Sequence, residues 1–334
     1  MGFGDAARGS RPERSDGAAR REAAERGRQA GVPSDIPAPG WRDIVRRVRQ
    51  DLSRDNVSIV AAGLALYALL ATFPALGAAV SIYGLFASPA DIAQHLDAFA
   101  GLLPPAATQI FRTQLQSLAQ RPPSTLGVGL AVGLLVSLWS ARQGIVALMT
   151  ATNIAYKESE ERGFFRLAFV SLEFTLFAVL GFAVVLGLAV VVPVVLEALG
   201  AGPVITFIVT VLRFALLWLF AVLGLAVVYR YLPDRENPRW QWVTWGSAVA
   251  ATLWLIGSAA FTLYVQRFAT YDKTYGALGG VVVLILWLYL TGYTIVLGAE
   301  INAEMERQTE RDTTTGPGQP LGERGAYAAD TVGR

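Results

Sequence analysis

Residues 57–87 read VSIVAAGLALYALLATFPALGAAVSIYGLFA, 31 positions without one Asp, Glu, Lys or Arg. The hydrocarbon core of a bilayer is about 30 Å thick, and roughly 20 apolar helical residues cross it. A soluble helix of this length would keep a charged face for water. The run therefore predicts a membrane-spanning helix, with Pro74 inside it as a kink or local break.

Five further runs of the same kind lie at about 125–141, 167–196, 203–231, 242–265 and 275–299, interrupted by Glu173 in the third span and Arg213 in the fourth, with Arg230 at the fourth span's end. Spans three and four are separated by Gly-Ala-Gly-Pro at residues 200–203, which predicts an antiparallel hairpin. Composition agrees: 53% of the 334 residues are hydrophobic and 16% charged, against roughly 25% charged in soluble domains. The expected fold is an all-α membrane protein, a six-transmembrane-helix bundle occupying residues 41–308. Residues 1–40 and 309–334, polar and rich in Gly, Pro and charge, read as disordered tails.

Six spans put both termini on one side, and Arg and Lys decide which. The termini and the loops on their side carry 23 of these residues, the opposite loops 4, and Arg213 lies within a span. This predicts a multi-pass protein of the bacterial cytoplasmic (inner) membrane with both termini cytoplasmic. Residues 1–40 lack the short apolar run of a secretory signal. Two segments are expected to be amphipathic helices. Residues 41–52 place Trp41, Ile44, Val45, Val48 and Leu52 at helical spacing among four Arg, which suits the inner leaflet or a soluble cap helix. Residues 90–119, in the first outer loop, form two such helices broken at Pro104-Pro105.

Several chemistries are excluded. There is no Cys, so no disulfide or thiolate metal site. His95 is the single His, too few for a zinc or two-metal hydrolase, so no metal or cofactor is expected. A metal-free nuclease would need positioned His or Lys, and the only lysines are Lys157 and Lys273. The net charge of +2 gives no reason to expect nucleic acid as a partner. No enzyme motif is present.

Ionisable groups inside spans are expensive and tend to be paired or functional. Arg213 lies about 15 Å below the outer end of span four, and Glu173 about 10 Å above the inner end of span three, too far apart in level for a direct pair. Arg142, at the inner end of span two, is the better partner for Glu173. With Glu300 closing span six and Asn153 after span two, these residues predict an inward-facing polar cavity, with Arg213 deeper. Gly129 and Gly133, and Gly276 and Gly280, form GxxxG pairs for helix packing, within the chain or in a homo-oligomer. Trp240, Trp242, Trp245 and Tyr264 read as an interfacial belt.

Certain segments resemble a known family. They are Leu64-Ala65-Leu66-Tyr67 with Phe73-Pro74, Trp139-Ser140-Ala141-Arg142, Thr152-Asn153-Ile154-Ala155-Tyr156 and Tyr229-Arg230-Tyr231-Leu232-Pro233. The strongest are Tyr275-Gly276-Ala277-Leu278-Gly279-Gly280, Trp287-Leu288-Tyr289, and Gly298-Ala299-Glu300-Ile301-Asn302-Ala303-Glu304. The chain resembles, over about 41–308, the YihY / virulence factor BrkB family of bacterial inner-membrane proteins, many once labelled ribonuclease BN. The resemblance implies six spans and an inner-membrane location, and it brings no catalytic residues with it. Two functions are expected from these features. One is transport of a small solute, or handling of membrane lipid, through the polar cavity. The other is a structural or assembly role in the cell envelope.

Overall fold

The computed structural model describes residues 21–84, 123–198, 200, 202–267 and 277–333. These residues are overwhelmingly helical: α1 (Ala38–Arg54), α2 (Val57–Gly84), α3 (Pro123–Tyr156), α4 (Phe164–Ala198), α5 (Pro203–Tyr231), α6 (Trp240–Arg267), α7 (Ala277–Glu306) and a short α8 (Tyr327–Asp330). The one extended pairing among them is an isolated bridge between Pro238 and Thr314. Within lipid only a helix satisfies its own backbone, which is why the Leu-, Val- and Ala-rich runs take this form.

Five helices, α3 to α7, contain stretches long and apolar enough to cross a membrane, and α1 with α2 makes a sixth if that bent pair is one span. The bend is 64°. Asp55 caps α1, its N–H donating to the Asp51 carbonyl at 2.8 Å. Asn56 follows at φ 50°, in the left-handed region that Asn tolerates better than most residues.

α2 packs on α3 and α7, α7 on α6, and α6 on α5, with α4 against α3. The two ends of the described chain, residues 21–37 and 307–333, lie at one end of this bundle, and the core lies there too. Val57, Ala155, Tyr156, Tyr229, Val243, Val296 and Ala299 are buried together, and Ile44, Val48, Trp242 and Met305 form an adjoining cluster. Further along the helices large apolar side chains face outwards, among them Phe169 (70% exposed) and Phe207 (70%). Such a surface is stable against acyl chains and not against water.

Four expectations change. Residues 309–333 are no loose tail: Thr309, Thr313, Arg324 and Ala328 are buried, and the Arg28 guanidinium ties the N-terminal arm to the carbonyls of Arg307, Gln308 and Gly333. The segment holds few apolar residues, so it is ordered by hydrogen bonds that composition does not reveal. Residues 21–40 are likewise engaged, with Ala30 and Ile36 buried; residues 1–20 lie outside the described residues. Trp242 is 1% exposed, a core residue and no belt residue. Of the kink or break expected at Pro74, the break is absent: α2 runs on through it.

Among the described residues the close helix crossing lies at Gly246 and Gly298, not at Gly133. A Cβ on Gly133 would meet nothing within 4 Å. One on Gly246 would lie 2.3 Å from the Gly298 carbonyl oxygen, and one on Gly298 would lie 2.4 Å from the Tyr229 hydroxyl. The tight contact is thus α6 against α7, and only glycine fits there. Gly276 and the outer segment 90–119 lie outside the described residues, as do the surroundings of Gly129 and Gly280.

Candidate functional site

Two features stand out, one among the spanning segments and one at the end that carries the termini. The first is a chamber of about 310 Å³ between α2, α3, α4 and α7. α2 contributes a row of small residues, Ala68, Ala71, Thr72 and Ala75, below Leu64. Ala141 and Gly144 on α3 and Gly292 on α7 keep the facing walls thin. Small side chains at three- and four-residue spacing let helices approach closely, and here they also leave the space between the helices. On α4, Thr175 and Val179 are buried along the wall, while Ala178 and Phe182, which also line the space, are exposed, so the chamber opens to the surroundings of the bundle beside α4.

Among the described residues three threonines are the only polar side chains lining the chamber, and each gives its hydroxyl proton to its own helix. Thr72 donates to the Ala68 carbonyl at 2.7 Å, Thr175 to Ser171 at 2.6 Å and Thr291 to Trp287 at 2.9 Å. Thr291 also accepts the Trp254 indole N–H at 2.9 Å. The lining therefore offers almost no donor to a solute. It is apolar in function as well as composition.

The second feature is an ionic cluster where α1, α2, α3 and α7 meet. Arg47 on α1 is 5% exposed and binds the Glu304 carboxylate, with further bonds to the Glu304 carbonyl at 3.1 Å and Gln308 Oε1 at 2.7 Å. Arg307 also holds Glu304 and lies 3.8 Å from Asp51. Lys157 ends α3 in a left-handed conformation, φ 58°, where glycine is usual, and its ammonium reaches Asp51 at 3.1 Å. Glu300, one turn before Glu304, is 0% exposed. Its carboxyl lies within hydrogen-bonding reach of Asp55 at the elbow between α1 and α2. Burial holds the Asp55 carboxyl above the usual carboxylate range, with Lys157 opposing and Asp51 adding to the rise.

Beside this cluster Arg235 and Glu306 form a two-pronged pair at 2.6 and 3.2 Å, both side chains 0% exposed, roofed by the Tyr156 ring at 4.7 Å. Thr313 donates to the same carboxylate at 2.9 Å. Among the described residues no group of three or more His, Cys, Asp or Glu is arranged to hold a metal ion.

The residues singled out from sequence are not brought together, and none of them lines the chamber. Arg142 lies inside α3, which continues to Tyr156; it donates to Ser171 Oγ at 3.1 Å and stacks on Trp139 at 4.3 Å. Glu173 is exposed on α4, in line with Phe169, Leu176 and Phe177. Arg213 is half-buried on α5, 5.1 Å from the Phe214 ring. Asn153 binds loops: its Oδ1 accepts the Asp234 N–H at 2.9 Å, and its amide donates to Glu160 at 3.1 Å. Glu300 alone belongs to a cluster, with Asp51, Asp55, Lys157 and Glu304, which the sequence reading passed over. One signal was available: Glu300, Glu304 and Arg307 share a helical face.

No solved structure matches the chain. Curated proteins do. The ribonuclease-like protein YfkH of Bacillus subtilis is 31% identical over 183 residues, 54% of this chain and 66% of that one. A UPF0761 membrane protein of Tolumonas auensis is 34% identical over 88 residues, 26% of this chain and 29% of that one. The chain thus spans less than two thirds of either relative. A UPF0761 membrane protein of Alteromonas mediterranea is 26% identical over 283 residues, 80% of this chain and 89% of that one. The family model described as virulence factor BrkB matches residues 48–321. With its several apolar helices and this match, the chain belongs to the virulence factor BrkB family of membrane proteins.

Proposed function

We propose that the protein handles lipid, accommodating an acyl chain in the chamber between α2, α3, α4 and α7. The observation that carries this reading is the lining: about 310 Å³ of space, open beside α4, whose three hydroxyls are all turned to their own backbones. Ligand pockets begin at about 300 Å³, and within a bilayer the abundant apolar ligand is an acyl chain. A charged solute would need partners that this lining lacks, and Arg142, Glu173, Arg213 and Glu300 all lie off it.

The reading includes six spans in an inner membrane, with α2 as the first span and both termini cytoplasmic. The folded end with α1 then lies against the inner leaflet, where the exposed Arg42, Arg46 and Arg49 suit anionic headgroups. The chain has no Cys, so spin labels at Thr175→Cys and Thr291→Cys test the chamber directly. Broadening by oxygen and not by a water-soluble nickel chelate supports an acyl site. Broadening by the chelate at both positions contradicts it and restores a hydrated path.

The alternative, an assembly role in the envelope, draws support from the folded platform of residues 21–56 and 307–333. On that reading the chamber is packing space alone, and filling it leaves lipid binding unchanged.

A further inference from the structure

We propose that Asp55 and Glu300 together form a proton-binding site, holding one proton between them at the elbow of α1 and α2. Glu300 is buried and Asp55 half-buried, and no N–H or O–H donor among the described residues reaches either Glu300 oxygen or Asp55 Oδ2, all three of them shielded from solvent. Two ionised carboxylates in contact would repel and leave these acceptors unsatisfied. One shared proton removes both faults, since the protonated carboxyl donates to its neighbour.

The surrounding charges give the same count. The cluster holds four carboxyls, Asp51, Asp55, Glu300 and Glu304, against three buried or half-buried cations, Arg47, Lys157 and Arg307. Arg54 reaches Asp51 only at 3.8 Å, with its side chain 70% exposed, where water screens it. The Tyr156 hydroxyl, at the end of α3, is buried and has no hydrogen-bond partner among the described residues, so it supplies no proton to Glu300. One bound proton makes the buried set neutral. The Lys157 side chain is 27% exposed and marks where the cluster meets water.

The location gives the proton a mechanical consequence. Asp55 ends the elbow that aims α2, and Glu300 sits on α7. These helices form two walls of the chamber and touch at Gly292, where a Cβ would lie 3.3 Å from the Ala61 carbonyl oxygen. When the pair loses its proton to solvent, the O–H bond breaks and two like charges remain in contact, which drives α2 from α7. The site stands whatever the chamber holds, so its test is separate from that of lipid binding.

The test is infrared difference spectroscopy of the full-length protein in lipid nanodiscs, taken from acid to alkaline buffer. A protonated-carboxyl C=O band that disappears on alkalinisation is expected in the wild type and in Glu323→Gln, an exposed control. Its loss is expected in both Asp55→Asn and Glu300→Gln, where an amide supplies the missing donor. Should one variant fail to fold, the other with the wild type decides. A wild type without such a band, or a band that persists in the folded variants, overturns the proposal.

Discussion

Asn302 on α7 spans the closest helix crossing among the described residues. Its Oδ1 accepts the Gly246 N–H at 2.8 Å, and its Nδ2 donates to the Val243 carbonyl at 3.2 Å. One backbone N–H and one backbone carbonyl of α6 are thereby paired where α6 and α7 touch backbone to backbone. Gly246→Ala would drive a methyl into the Gly298 carbonyl, and overpacking of this kind costs about 1–3 kcal/mol. Asn302→Ala leaves buried groups unpaired at a similar cost, about 1–3 kcal/mol. Thermal unfolding in detergent checks both, and Gly133→Ala, in open space, is expected to change nothing.

Stability should fall as pH rises. The Asp55 pKa is raised in the folded state, chiefly by burial, so the folded protein holds the proton more tightly than the unfolded chain. The contribution is full below the ordinary carboxylate pKa and is lost as pH climbs through the raised one. Melting temperature against pH is expected to decline as pH rises above the ordinary carboxylate range for the wild type and to flatten in Asp55→Asn. A wild type whose stability rises over that interval would mean that Asp55 is held ionised.

The Arg235–Glu306 pair is fully buried, so breaking one side strands a charge. Glu306→Gln or Arg235→Met alone is expected to cost about 3–5 kcal/mol. The double change Arg235→Met with Glu306→Leu removes both charges and should recover most of that loss. A double-mutant cycle on thermal stability measures the coupling, and additive losses would show that the pair is not coupled.

The apolar helices were legible because hydrophobic runs are local. Residues 203–231 read as one span, and α5 is Pro203–Tyr231. Arg142 misled by the same logic. A charge closed the second apolar run, yet α3 continues past it because Ser171 and Trp139 accept the guanidinium. Glu173 suggested a pair with Arg142, but spacing along one helix does not show which face a second helix presents, and it points away from the bundle. The chamber was written in the alanines of α2, which pass for ordinary membrane-helix composition until α3, α4 and α7 close round them. The ionic cluster was the least legible part. Asp51, Asp55, Lys157 and Glu304 lie in three separated segments, and only the meeting of the helix ends unites them.

Lipid in the chamber is the central claim, and photo-crosslinking tests it most directly. A phospholipid with a diazirine along its acyl chain, incorporated with the full-length protein, is irradiated and the labelled peptides are mapped. The account predicts label on Thr72, Thr175 or Thr291, lost in Ala178→Trp, which fills the chamber from α4, while exposed Phe207 stays labelled in both. Label confined to the outward-facing residues of α4 and α5, with the chamber threonines unlabelled in the wild type, would contradict it.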